Sequence, residues 1–449
     1  VNPVVDLRID WLDAPRVSSP DLAATWAAYQ LWIGNECVTH VETREGDDRR
    51  LVFGSLYPLA EWIAENWWPL TQDVRPSALS TRLWRWASSR EHPWLLAHNF
   101  RSAGNGMAWP DLSIVPEGGI TTLAWCNDES PTLGGLKFLR RGTAHVQSDL
   151  VSTALAEIVN RVLDRLHAKG IHAGPLGERW AMVTASANDE DETEFCVTAA
   201  RLGLDPYGID DSGANRLVSI AERVPASLRD DFFNSAPDRL LEPGLEWLIA
   251  ALLVASSAAA SAERDVAELR RETALAADSA DLSLHGQPAW RRGYQLAQAT
   301  RVTLGIGPED RFDVSPWVGV LEVGDGVAGL QGVGATRSDR CGLALPGRSA
   351  DKAIRRHPRR SDTFIRFSCA RALSTSVSTR SERSFILSPV GTEMHRISRA
   401  FAAELLAPAE GISRLLAGGQ LTDEDIEDLA DHFEVDPRVI DYQYENQLS

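Results

Sequence analysis

With 449 residues, of which 44% are hydrophobic and 24% charged, the chain has the length and composition of a folded globular protein with more than one core. Its 63 acidic side chains outnumber its 45 basic ones, and the net charge of −18 argues against general attraction of the whole molecule to nucleic acid or to an anionic membrane. The five cysteines, Cys37, Cys126, Cys196, Cys341 and Cys369, are scattered with no Cys-x-x-Cys pair, which points to reduced thiols rather than a disulfide frame or a zinc knuckle.

Asp6, Arg8, Asp10 and Asp13 stand where an export signal would need an apolar run, so the expected location is the cytoplasm. The expected architecture is α+β and multidomain: a Trp-rich mixed α/β domain over 1–146, a mostly helical domain over 147–285, and a helix-plus-small-sheet domain over 286–449. In the first, 4–11 and 36–42 have strand-like content, and 55–68 reads as an amphipathic helix ended by Pro69. Residues 112–115 and 120–125, joined by Pro116-Glu117-Gly118-Gly119, predict a hairpin, and 138–146 a further strand.

Eleven of the fifteen tryptophans fall in the first 125 residues. Trp84 and Trp86 interleave with Arg82, Arg85 and Arg90, a pattern open to two readings: core packing, or a stacking surface for a partner or a nucleic acid. His92, His98 and Asp111 lie nearby without the spacing of an acid, base and nucleophile and read as structural.

The middle region predicts helices over 150–166 (closed by Gly170), 189–201 (opened by acidic residues and stopped at Gly203), 212–223, 226–233 and 245–275. Trp247 to Ala260 is apolar but too short for a membrane span, so a buried core helix is expected, and 258–277 a solvent-facing or partner-packing one.

In the last domain, 318–323, 327–333 and 341–345 read as short strands between Gly-rich turns. Thr363 to Val377 has the spacing of a buried helix. Glu393 to Leu406 is a stronger one, with Met394, Ile397, Phe401 and Leu405 on one stripe, Thr392 as cap and Pro408 beyond its end. At this pair the chain resembles the ImmA/IrrE family of bacterial zinc endopeptidases. Arg366-Phe367-Ser368-Cys369-Ala370 matches the entry to the family's metal helix. Phe401-Ala402-Ala403-Glu404-Leu405-Leu406-Ala407-Pro408 matches the end of its later helix, and Gly293 to Ala297 with Arg301 and Leu304-Gly305 is similar to its opening helix.

The resemblance implies a zincin-like domain, but the metal chemistry has been replaced. The first His of His-Glu-x-x-His falls on Arg371, the catalytic Glu on Ala372, the second His on Thr375 and the third ligand on His395. Two imidazoles at i and i+4 share a zinc ion on one helix face, and the Glu between them takes a proton from its water. Arg371 has no lone pair to offer and Ala372 no base, so no catalytic residue and no metal cofactor are expected. Two placements are open for Arg371: its charge sits where the metal would and pairs with Glu404 or Glu393, or it points into solvent.

An arginine cluster, Arg355, Arg356, Arg359 and Arg360, is joined by Arg366, Arg371, Arg380, Arg383, Arg396 and Arg399. It suits a partner-binding groove that includes Glu404, or a solvated loop. In the tail, Thr422 and Asp425 approximate a capping box and Pro437 a first helical turn; the acidic count favours a packing pair over DNA-binding helices. The expected function is a regulator or adaptor that binds a protein partner without cleaving it. The alternatives are an active zinc endopeptidase built around His395, and a nucleic-acid-binding component of a defence system.

Overall fold

The computed structural model describes residues 5–14, 17–74, 93–132, 134–235, 238, 241–257, 268–269, 271–273, 288–322, 342–345, 351–355, 361–378, 384–388, 390–416 and 421–448. The expected strand at 327–333, the Trp84–Trp86 interleave, His92, and Arg356, Arg359, Arg360, Arg380 and Arg383 lie outside them. The chain is mixed α+β and divides into two compact units, Val1–Leu217 and Val218–Ser449.

In the first unit β1 (Val5–Trp11) is followed by α1 (Pro20–Ala24), β2 (Trp26–Ile33), the short β3 (Glu36–Cys37), β4 (Val41–Glu42) and β5 (Asp48–Arg49), and then β6 (Val52–Ser55). β2 is the organising strand, antiparallel to β1, β3 and β6, with Leu7 opposite Leu31 and Ala27 opposite Gly54. Next come α2 (Tyr57–Glu65), α3 (Trp67–Gln72) and α4 (Pro93–His98). The single helix expected over 55–68 is thus two, broken at Asn66, and Pro69 lies inside the second rather than ending it. Near a helix start the missing N–H of proline has no intrahelical acceptor to lose.

The predicted hairpin is present as β7 (Asp111–Pro116) and β8 (Ile120–Cys126), with Ile114 opposite Leu123. The strand expected over 138–146 is divided into β9 (Lys137–Phe138) and β10 (Gly142–Gln147), and β10 pairs with β8. Three helices complete this part, α5 (Ser148–Ala168), α6 (Gly174–Ala187) and α7 (Glu190–Arg201), and α8 (Asp211–Arg223) runs across the division after Leu217.

Residue 146 does not separate two cores. Val151, Leu155, Ile158, Val159, Val162 and Leu166 of α5, with Leu176, Trp180 and Val183 of α6, share one hydrophobic core with Leu31, Leu59, Ile63 and Leu123. The sheets need these helices to cover their inner faces, so the helical middle region is distributed rather than independent.

In the second unit α9 (Arg229–Ser235) and α10 (Leu241–Ser257) precede α11 (Ala289–Thr303), and then come β11 (Val318–Glu322), β12 (Gly342–Leu345) and β13 (Asp351–Arg355). They are followed by α12 (Asp362–Ser378), β14 (Phe385–Leu387), α13 (Glu393–Leu406), α14 (Ala409–Leu415), α15 (Asp423–Phe433) and α16 (Pro437–Gln447). The sheet order is β11-β13-β12-β14, parallel between β11 and β13 and antiparallel elsewhere. Among the described residues no helix is long and apolar enough to cross a membrane.

The α12–α13 pair lies at the centre of this unit, with Ala370, Leu373, Phe401, Ala402, Leu405 and Leu406 in one core with Ile412, Phe433 and Ile440. The capping box is present, Thr422 Oγ1 accepting from Asp425 N (3.2 Å) and Asp425 Oδ2 from Thr422 N (3.0 Å). Both tail helices send side chains into the core, which makes them a packing pair.

α11 and α13 approach closely at Gly293, where a Cβ atom would lie 2.5 Å from Ile397 O and 2.7 Å from Ala400 Cβ. Backbone cannot yield as a side chain does. Gly293→Ala is therefore expected to cost about 1–3 kcal/mol, measured as a lower urea midpoint of the second unit with an unchanged m-value. An unaltered midpoint would mean that the helices separate at no cost.

Candidate functional site

α12 carries Arg371, Ala372 and Thr375, all buried, and Arg371 reaches α13 and lies near His395. Arg371 is 8% exposed, so the solvent-pointing alternative does not hold. Its Nε donates to Ser398 Oγ on α13 (3.2 Å) and its Nη2 to the carbonyl of Ser388 (3.0 Å). The guanidinium thus ties α12 to α13 and to the chain that leaves β14. The two carboxylates proposed as its partners are engaged elsewhere: Glu393 forms an ion pair with Arg292 of α11, and Glu404 is held by amides.

Ala372 and Thr375 are buried, and Thr375 Oγ1 donates back to the carbonyl of Ala372 (2.8 Å). This turns the one oxygen at the second-ligand position toward its own helix.

His395 has no exposed surface. Its Nε2 lies 2.9 Å from Ile386 O and 2.8 Å from Ser388 Oγ, and its Nδ1 lies 2.6 Å from Thr392 Oγ1. A carbonyl oxygen only accepts, so Nε2 carries the proton and Nδ1 accepts from the Thr392 hydroxyl. Burial, with the Arg371 and Arg399 charges adding to it, pushes the imidazole pKa well below its usual value, while the Ile386 carbonyl opposes. The ring is neutral and both its nitrogens are engaged by neighbours.

These residues do not fit zinc. Arg371 and Ala372 offer no lone pair, the Thr375 hydroxyl is turned into its helix, and the His395 lone pair is taken by Thr392. Among the described residues no group of three or more His, Cys, Asp or Glu side chains is arranged to hold a metal ion.

Glu404 and Arg366, two of the other expected site residues, have interior work. Glu404 is 1% exposed and accepts from Gln298 Nε2 (2.8 Å) on α11, Gln443 Nε2 (2.7 Å) and Gln447 Nε2 (2.9 Å) on α16, and Ala409 N (3.3 Å). It fastens three helices instead of lining a groove, because a buried carboxylate requires a full set of donors. Arg366 donates to the carbonyls of Phe433, Glu434 and Phe312, at 2.9, 2.7 and 2.7 Å, closing the C-terminus of α15. Arg355 ends strand β13 rather than lying in a loop.

In the first unit Trp62, Trp68, Trp94, Trp109 and Trp125 are core residues. Trp32 lies under the guanidinium groups of Arg8 (4.8 Å) and Arg50 (5.6 Å). His98 is buried against Trp94, and Asp111 accepts from Asn99 Nδ2 (2.7 Å), as their structural reading expects.

Two residues at the α12–α13 site are not read from the sequence as part of it, Arg399 standing there only in the arginine cluster. Ser388 and Arg399 have no motif of their own, yet each reaches the chain between β14 and α13: Ser388 Oγ meets His395, and Arg399 Nη1 donates to Val390 O (2.9 Å). Arg399, one turn beyond His395 on α13, could have been found from that i, i+4 spacing.

No family model, curated protein or solved structure matches the chain.

Proposed function

We propose that the second unit carries a degenerate ImmA/IrrE-like domain, a pseudo-metallopeptidase of zincin-like ancestry, and that the protein is a cytoplasmic regulator or adaptor that binds a protein partner without cleaving it. The reading rests on the order of the motif pieces in the sequence, on the pairing of α12 with α13, and on the donor set between them. One observation carries it: Arg371, at the position of the first ligand, is buried and bonded to Ser388 and Ser398. A fixed positive charge there keeps a divalent cation out and holds the helices together in its place.

The test restores the missing chemistry. A chain with Arg371→His, Ala372→Glu and Thr375→His places two imidazoles one turn apart on α12, and is expected to bind about one zinc ion per molecule. The natural chain, grown in the same zinc-supplemented medium, is expected to retain almost none by atomic emission. Circular dichroism checks that both are folded. A folded triple variant without zinc would remove the case for the scaffold, and stoichiometric zinc in the natural chain, or cleavage of a co-purified partner by it, would contradict the loss of activity.

A further inference from the structure

Among the described strands β14 is the last of its sheet, paired with β12 so that Ile386 lies opposite Leu343. In an antiparallel ladder each residue turns both main-chain groups toward its partner strand or both away. Those of Ile386 go to side chains: its N–H donates to Asp231 Oδ2 of α9 (3.2 Å) and its carbonyl accepts from His395 Nε2 (2.9 Å). Ile386 therefore turns its main-chain groups away from β12, toward a side that side chains cover, and is itself 2% exposed. The same treatment continues along the chain at every second residue, because the Ser388 carbonyl accepts from Arg371 Nη2 (3.0 Å) and the Val390 carbonyl from Arg399 Nη1 (2.9 Å).

Three donors on α12 and α13 thus hold three alternate carbonyls, and an acceptor on α9 holds an amide. Such contacts grip a backbone without reading its side chains. One side chain is also met, Ser388 Oγ, which lies 2.8 Å from His395 Nε2 and 2.9 Å from Ser235 Oγ of α9. Outward main-chain groups of a strand are natural sites for pairing, and here side chains from three helices take them up and leave Ile386, Ser388 and Val390 buried.

We propose that Asp231, Arg371, His395 and Arg399 form a track for an extended peptide, that Ile386, Ser388 and Val390 are held on it in cis, and that an extended segment of a protein partner exchanges with them. The inference rests on the reading of α12 and α13 as a partner-binding scaffold. The track takes an extended segment with a small hydroxyl residue at the Ser388 position, held by main-chain hydrogen bonds. Occupancy in cis lowers the affinity for any competitor by the fraction of time that the track is open.

The probe is a fluorescein-labelled synthetic peptide with the chain's own 384–392 sequence, and binding to the full-length protein is read by anisotropy. Ile386→Pro deletes the amide that Asp231 holds and leaves the four track residues in place; it also removes a buried side chain, so circular dichroism first checks that the variant is folded. The variant is expected to bind the peptide at least about tenfold more tightly than the natural chain, and Arg399→Met in the same background to abolish the gain, with a scrambled peptide as control. Equal, undetectable binding by the natural chain and by a folded Ile386→Pro variant would overturn the proposal.

Hydrogen exchange on the natural chain decides the case if that variant does not fold. The amides of Ile386, Leu387, Ser388 and Val390 are expected to exchange about a hundredfold faster than those of α13, through local opening. Exchange of both only on global unfolding makes the segment a fixed part of the core and ends the proposal. Zinc uptake by the triple variant is independent of either result, so failure of the track and failure of the scaffold reading are told apart.

Discussion

Arg301→Met is expected to lower the stability of the second unit by about 3–5 kcal/mol, toward the low end of what three orphaned buried carbonyls cost at roughly 1–3 kcal/mol each. Arg301 is 4% exposed, and its guanidinium reaches three carbonyls. Nη1 donates to Leu405 O (2.6 Å), in the last turn of α13, and Nη2 to Asp310 O (2.7 Å) and Gly307 O. The last carbonyls of a helix have no intrahelical donor, and an orphaned buried acceptor costs roughly 1–3 kcal/mol. Methionine keeps most of the stem volume, so the loss isolates the donors from the packing. Arg301→Lys is expected to recover only part of it, because one ammonium cannot match the fork geometry. Denaturant unfolding measures both, and a loss below about 1 kcal/mol for Arg301→Met would mean that the carbonyls find other donors at little cost.

The same core shows how much the sequence could disclose. The stripe through Ile397, Phe401 and Leu405, the cap at Thr392 and the box at Thr422 and Asp425 were readable because their spacing is local, and the structure has all of them. Glu404 was readable as a residue of interest but not as a helix fastener, because its partners Gln298, Gln443 and Gln447 are distant in sequence and glutamine carries no spacing signal of its own. β13 was missed since Asp351-Lys352-Ala353-Ile354-Arg355 has no apolar alternation; its strand character comes from being paired on both sides, by β11 and β12. The boundary at 146 failed for a related reason. The amphipathic pattern of α5 says that one face is buried, but not whose core receives it.

Arg371 is the sharpest instance. From sequence alone both solvent and the interior were open to Arg371, and solvent was favoured because long cationic side chains are usually exposed. What decides it is the presence of Ser388 O and Ser398 Oγ as acceptors, and neither belongs to a motif. His395 follows the reverse logic. Its identity suggested a surviving ligand, and its neighbours Thr392, Ile386 and Ser388 make it a packing element with a fixed tautomer.

Acid is expected to destabilise both units separately, each through one buried histidine. In the first unit burial pushes the pKa of His98 down to about 4, against the pull of the Trp94, Pro69 and Asp73 carbonyls around its ring. Above pH 6.5 the imidazole is neutral in folded and unfolded chains alike, and it adds no pH dependence. Below 6.5 the unfolded chain takes up a proton that the folded unit refuses, so stability falls with pH until about 4, by roughly 3 kcal/mol in all at ~1.4 kcal/mol per unit. In the second unit His395 is displaced in the same direction by burial and by the nearby Arg371 and Arg399 charges, so its share is likewise complete above 6.5 and is lost as pH falls. The carboxylates add acid sensitivity at lower pH, so the histidine contribution is isolated between pH 6.5 and 5 by comparing variants. His98→Gln is expected to flatten the slope of unfolding free energy against pH for the first unit by up to ~1.4 kcal/mol per pH unit, and His395→Gln to do so for the second, each leaving the other unit unchanged. Equal slopes in the natural chain and the variants would mean that the folded histidines accept protons as readily as unfolded ones, and the neutral, doubly hydrogen-bonded His395 would then be wrong.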